Sequence, residues 1–291
     1  MWHGNYVALI DQTGPGEPLG VLMRRLVADL DRPVHAFEFD RNPLVAVPPG
    51  PDHDRDGLLI FSDGRGLLDP RSGKPFDWVS SRFAAWPNRV LLTPVPVASW
   101  GGVEDALPDC GFCVLPALKT SLPAVVQAFS GRTLEVPFVR GAPARFPPLL
   151  RGQPLRWLSQ TEPAEEDCSA LLRQLRGYLG YAAFETLAAV AAHARERDAG
   201  VTVEDIEFLA GQLEGATEGG LDAQMLREAR ILAIAYLPWV RQTFFPEWLS
   251  SALMRELPPA RRELIDQVLL QHGGADAEED EDGSADRPQS P

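Results

Sequence analysis

The first half of this chain is punctuated by apolar runs of four to six residues, each too short for a core helix and rich in Val, Leu, Ile and Phe. They are Tyr6–Ile10, Val34–Phe39, Leu44–Val47, Leu58–Phe61, Val90–Val95 and Phe112–Leu115. Unbroken apolar runs of this length, set off by turn residues, mark strands buried on both faces, as parallel strands are. Between the first two, PLGVLMRRLVADL places Leu19, Leu22, Met23, Leu26, Val27 and Leu30 on one helical face. The result is a β-α-β unit, and short helices fit the later connections at Trp78–Trp86, Val103–Leu107 and Leu118–Phe129.

Only Asp40-Arg41-Asn42-Pro43 separates the second and third runs. Four polar residues cannot make a crossover, so Val34–Val47 is expected to form an antiparallel edge hairpin on an otherwise parallel sheet. The segment Gly131–Gln160 is loaded with Pro and Gly, as a connector is. Beyond it the period changes to that of helices: Glu165–Leu179, Ala182–Arg197, Glu204–Leu213, Ala223–Ala235, Pro246–Glu256 and Pro259–His272. Thr202 followed by Glu204 and Asp205 is a helix start. The expected organisation is an α/β domain with its connector over 1–150, an α-helical domain over 151–273, and an acidic, disordered tail over 274–291.

The chain carries a formal charge of −14, and its tail holds seven acidic residues against Arg287 alone. That balance disfavours a nucleic-acid partner, because a phosphate backbone repels it. No apolar run approaches the roughly 20 residues of a membrane span, and MWHGNYVALIDQ lacks the features of a secretory leader. The three cysteines are too few for a disulfide scaffold, so a cytoplasmic location without membrane contact is expected.

Several local motifs fail on context. Cys110-Gly111-Phe112-Cys113 has zinc-knuckle spacing, but no second ligand pair follows, and it opens a strand where a redox pair would open a helix. Gly14-Pro15-Gly16 lacks the ending of a phosphate loop, and no nucleophile elbow is present. No catalytic residue and no cofactor are therefore assigned.

The sharper signal is Asp11 with Thr13 after the first strand, and Ser62-Asp63-Gly64 after the fourth. Carboxylates delivered to the carboxyl ends of neighbouring strands stand where an open α/β sheet binds ligands, and where Mg²⁺ could be held. This order resembles the von Willebrand factor A fold, a Rossmann-like sheet whose metal loops supply an Asp-x-Ser-x-Ser segment, a Thr and a second Asp. Asp11, Thr13 and Asp63 match three of those positions, while Pro15 replaces the second Ser, so the resemblance implies a degenerate metal site. The competing reading gives Asp11 and Asp63 the common duty of capping helix starts and turns.

In the helical half, Leu237-Pro238-Trp239-Val240-Arg241 and Phe244-Phe245-Pro246-Glu247-Trp248-Leu249 form an aromatic cluster. It suits a helix-corner core first, and the functional reading beside it is an interface anchored by Trp239, Arg241 and Trp248.

Taken together, FSDGRGLLDPRSGKPFDWVSSRFAAWPNRVLLTPVPVASWG, GFCVLPA, LRGYLGYAAFETLAAVAAH and YLPWVRQTFFPEWLSSALMRELPPARR resemble an uncharacterised bacterial region spanning roughly Ile60–His272 here. That region stands at the front of multidomain proteins with a WD-repeat propeller, a sulfatase-modifying-factor-like domain or an effector module. Their gene clusters include a MoxR-type AAA+ ATPase and von Willebrand A proteins, in proposed conflict or stress systems. One departure is Thr186–His193, where members often carry a Trp-Leu-Ala-Ala-Cys-Ala-Val-Tyr-Pro-like helix.

The resemblance implies a non-enzymatic regulatory adaptor whose partner is a MoxR-type ATPase or its associated von Willebrand A protein. Two rivals use the carboxylates. One is a metal-dependent binding module on Asp11, Thr13 and Asp63; the other is a metal-dependent hydrolase or nuclease on Asp11 and Asp63, for which no nearby His or Lys supplies acid-base chemistry.

Overall fold

The computed structural model describes residues 4–11, 17–40, 43, 55–130, 136, 139–197, 200–215 and 220–282, and for 196–197 and 273–282 the backbone alone. The first half alternates strands and helices: β1 (Tyr6–Asp11), α1 (Pro18–Ala28), β2 (Val34–Phe39), β3 (Gly57–Phe61), α2 (Asp77–Arg82), β4 (Arg89–Thr93), α3 (Val103–Ala106), β5 (Cys113–Pro116) and α4 (Leu122–Phe129). The second half is helical: α5 (Pro148–Gly152), α6 (Glu165–Arg197), α7 (Val203–Glu214), α8 (Leu221–Ala235), α9 (Pro238–Arg241), α10 (Glu247–Arg255) and α11 (Pro259–Asp282).

All five strands are parallel, in the order β2-β1-β3-β4-β5. This is a doubly wound, Rossmann-like sheet with β3 and β4 interior and β1 beside β3, as their unbroken apolar character requires. Among the described residues the antiparallel edge hairpin is not seen. After the α1 crossover β2 pairs with β1 in parallel, Tyr6 opposite Val34, and forms the sheet edge. Its other half, Leu44–Val47, lies outside the described residues. The edge itself is blunted by exposed His35 and Glu38, which disfavour further pairing. β4 stops at Thr93 because Pro94 has no N–H for the ladder.

Strand periodicity separates two cores. Tyr6, Ala8 and Ile10 of β1, Leu59 and Phe61 of β3, and Val90 and Leu92 of β4 face one side, where Leu19, Met23 and Leu26 of α1 and Val125 and Phe129 of α4 meet them. Val7, Leu9, Leu58, Ile60 and Leu91 face the other side, against Val79, Phe83, Trp86 and Phe112. The first core runs without interruption into the helical half, through Leu171, Leu175, Leu187, Ile206, Leu232 and Leu253. Thr120, just before α4, donates its backbone N–H and its hydroxyl to Glu228 of α8, both at 2.9 Å. Arg25 of α1 pairs with Glu204 and Glu207 of α7.

Within α6 the helix breaks at Gly180 (φ 72°, ψ 178°), dividing it where the sequence places a boundary. Only glycine enters that region of backbone space without strain. Thr202 caps α7 in a reciprocal capping box with Asp205. The backbone of α11 stays helical past His272, where the sequence reading ends it. Among the described residues, no helix is long and apolar enough to cross a membrane.

Candidate functional site

The carboxyl edge of the sheet meets the helical half at a cleft of about 610 Å³. Its walls include Glu17 at the entry to α1, Arg65 after β3, Phe146, Arg151 of α5, Tyr236 and Arg241. A strand order that reverses beside β1 opens a crevice at that edge, which is why the first strand-to-helix connection borders it.

Behind the cleft lies a pocket of about 30 Å³, room for a water or a bare ion, lined by Asp11, Ser62, Asp63, Met23, Tyr236 and Arg241 among others. The two acidic residues singled out in the sequence therefore do converge. Thr13 lies outside the described residues. Ser62 Oγ donates to Asp11 Oδ2 at 2.7 Å and accepts the Gly64 N–H at 3.1 Å. Asp63 Oδ1 accepts the Arg65 N–H at 3.0 Å, closing a turn in which Gly64 takes φ 70°. Its Oδ2 accepts the Tyr236 hydroxyl at 3.4 Å and faces Arg65 Nε at 3.5 Å.

Both carboxylates thus already carry donors, and a guanidinium stands beside one of them. That environment opposes a divalent ion, which would have to displace these donors and tolerate the neighbouring positive charge.

Glu17 is buried, 4% exposed, yet accepts Arg241 Nε at 2.8 Å. The pair crosses from the α1 entry to α9 and neutralises a carboxylate that burial would otherwise penalise. The Arg241 guanidinium lies 5.7 Å from the Tyr236 ring centroid, and Phe146 packs edge-on to that ring at 5.5 Å. Burial first, and Asp63 second, push the Tyr236 hydroxyl far above its ordinary range, so it remains a proton donor. Burial also raises the Glu104 carboxyl, with Asp63 and Asp105 adding to the shift. Glu104 caps the local turn by accepting the Gly101 N–H at 3.1 Å.

Two residues named as interface anchors are core residues. Trp239 is fully buried and donates Nε1–H to the Trp157 carbonyl at 2.7 Å. Trp248, 5% exposed, donates to the Ser159 carbonyl at 2.9 Å. Large aromatic area at helix corners is worth more inside than at a surface, and each indole finds a carbonyl partner. Arg241 alone of the three faces the cleft.

Sequence reasoning missed Glu17, Arg151 and Tyr236. Glu17 and Arg241 are 224 positions apart, and no local spacing signals such a pair. The C-x-x-C segment behaves as two separate thiols: Cys110 contacts Ser80 Oγ at 3.3 Å, and burial pushes the Cys113 thiol up, opposite to what an attacking thiolate needs. In comparisons with protein-family models, curated proteins and solved structures, nothing matches this chain.

Proposed function

We propose that this chain is a non-enzymatic regulatory adaptor that engages a partner protein through the cleft at the carboxyl edge of its sheet. The observation that carries the reading is the cleft's charge: of the three arginines that line it, Arg65 is paired with Asp63 and Arg241 with Glu17, which leaves the charge of Arg151 uncompensated among the described residues. Arg151 is exposed and has no ion pair among the described residues, which leaves it free for an incoming carboxylate. Arginine suits that task because its planar fork bonds a carboxylate through two donors. The matching ligand is an acidic segment of a partner protein. Thr243, in the left-handed region at φ 48°, borders the same cleft, and strain of this kind gathers at binding sites.

The first partner in line is the MoxR-type AAA+ ATPase or its associated von Willebrand A protein, as the resemblance of Ile60–His272 implies. The degenerate von Willebrand A character belongs to the same proposal, resting on Asp11 and Asp63 at the strand ends. Titration calorimetry with each purified candidate tests it. Arg151→Glu is expected to weaken binding at least tenfold while the far-UV circular dichroism stays unchanged. Binding indifferent to Arg151→Glu would remove the cleft from the interface. Nuclease or phosphatase turnover by the purified chain, abolished in Asp63→Ala, would overturn the adaptor reading in favour of the hydrolase rival.

A further inference from the structure

His193 of α6, Asp205 in the first turn of α7 and His272 of α11 meet in one place, far apart in sequence and on three different helices. Their ligand atoms all lie within 4.8 Å of one another. From this convergence we infer that the three residues form a transition-metal site of the zinc class, which ties the last helix to α6 and α7.

Asp205 Oδ2 is occupied by the capping box, accepting the Thr202 N–H and hydroxyl, each at 2.8 Å. Its Oδ1 is turned to the two imidazoles: His272 Nε2 at 2.9 Å and His193 Nε2 at 3.4 Å. The carboxylate is therefore oriented by one oxygen and presents the other, which is how a hydrogen-bonding neighbour positions a metal ligand.

An independent observation comes from His193. Its side chain is 6% exposed, and its Nε2 is buried without a hydrogen-bond partner, since the 3.4 Å contact with Asp205 lacks hydrogen-bond alignment. Buried ring nitrogens are normally satisfied, and one aimed at a carboxylate and a second imidazole has the position of a ligand.

Metal–ligand distances of about 2.0–2.2 Å set neighbouring ligands of a tetrahedral ion about 3.3–3.6 Å apart. The His193–Asp205 separation already has that value, and the His272–Asp205 contact needs to open by roughly half an ångström. The His272 ring is stacked on Phe208 at 4.4 Å between centroids and lies 4.9 Å from the His193 ring, so its approach is guided. Two imidazoles and one carboxylate select Zn²⁺ and its late first-row neighbours over Mg²⁺ and Ca²⁺, which prefer all-oxygen sets. Three protein ligands leave a fourth position for water, and the His272 side chain, 15% exposed, provides the solvent side.

The test uses the full chain carrying Cys110→Ser, to remove a competing, partly buried thiol, stripped with a chelator and titrated calorimetrically with ZnCl₂. One ion per chain with a sub-micromolar Kd is expected, together with a raised melting temperature and, for Co²⁺, the visible absorption of a tetrahedral site. His272→Gln, at a partly exposed position, is expected to fold and to lose at least a hundredfold in affinity. Asp205→Asn is the companion variant, its folding checked by circular dichroism because it also alters the helix cap. Absence of stoichiometric Zn²⁺ binding overturns the inference, as does binding of unchanged affinity in His272→Gln. Neither outcome bears on the cleft.

Discussion

Trp239 lies wholly inside the protein with its indole nitrogen bonded to the Trp157 carbonyl, so its truncation both empties a large volume and strands a buried acceptor. Trp239→Ala is expected to cost about 3–5 kcal/mol in urea unfolding. A loss below about 1 kcal/mol would mean that the ring is free at a surface. Glu104 tests the electrostatics of the sheet edge. Burial raises its folded-state pKa above the unfolded value, so the folded state binds this proton more tightly. Its contribution is most favourable at acid pH and is lost as pH rises through the folded value. Glu104→Gln is therefore expected to raise the urea midpoint at neutral pH, with the gain vanishing below the ordinary glutamate range. An unchanged midpoint at both would show that the ionised carboxylate is well solvated. At Asp63, Arg65 occupies the electrostatic role of a cation. Mg²⁺ is accordingly expected to leave the melting temperature where it is, and a rise abolished by Asp63→Ala would establish an ion there.

At the scale of elements, helix boundaries were the most legible feature. The apolar periodicity of the helical half and the Thr202 cap located α7, α8 and α10 because helix ends are set by local chemistry. The division of α6 follows from Gly180, whose φ 72° and ψ 178° are closed to side-chain-bearing residues. A Cβ at this position meets nothing within 4 Å, so Gly180→Ala isolates the backbone cost. The expected destabilisation is about 1–3 kcal/mol by thermal or urea unfolding. No destabilisation would indicate that the break moves to a neighbouring residue at little cost. The sheet edge is less legible for the opposite reason: among the described residues β2 pairs with β1 alone, in parallel, and Leu44–Val47 lies outside them. A polar four-residue turn is compatible with a hairpin, but whether the strands pair depends on what else covers the edge, which no window of sequence contains.

Across the whole molecule, one apolar core extends from α1 and the sheet into α6, α7, α8 and α10. Unfolding monitored by far-UV circular dichroism and by tryptophan fluorescence is expected to follow one coincident transition, since Trp86 reports on the sheet and Trp157, Trp239 and Trp248 on the helical half. Two separated transitions would show that the halves hold together independently. The sequence by itself determined the parallel α/β class of the first half, the helical class of the second and the arrival of Asp11 and Asp63 at strand ends. Those properties depend on periodicity, turn chemistry and capping, which act over a few residues. Tertiary structure alone decided that Glu17 meets Arg241 across the cleft, that Tyr236 bonds Asp63, that Trp239 and Trp248 are core, and that His193, Asp205 and His272 converge. Each of these rests on the packing of helices distant in the chain, where burial and unsatisfied polar groups choose partners that local spacing cannot encode.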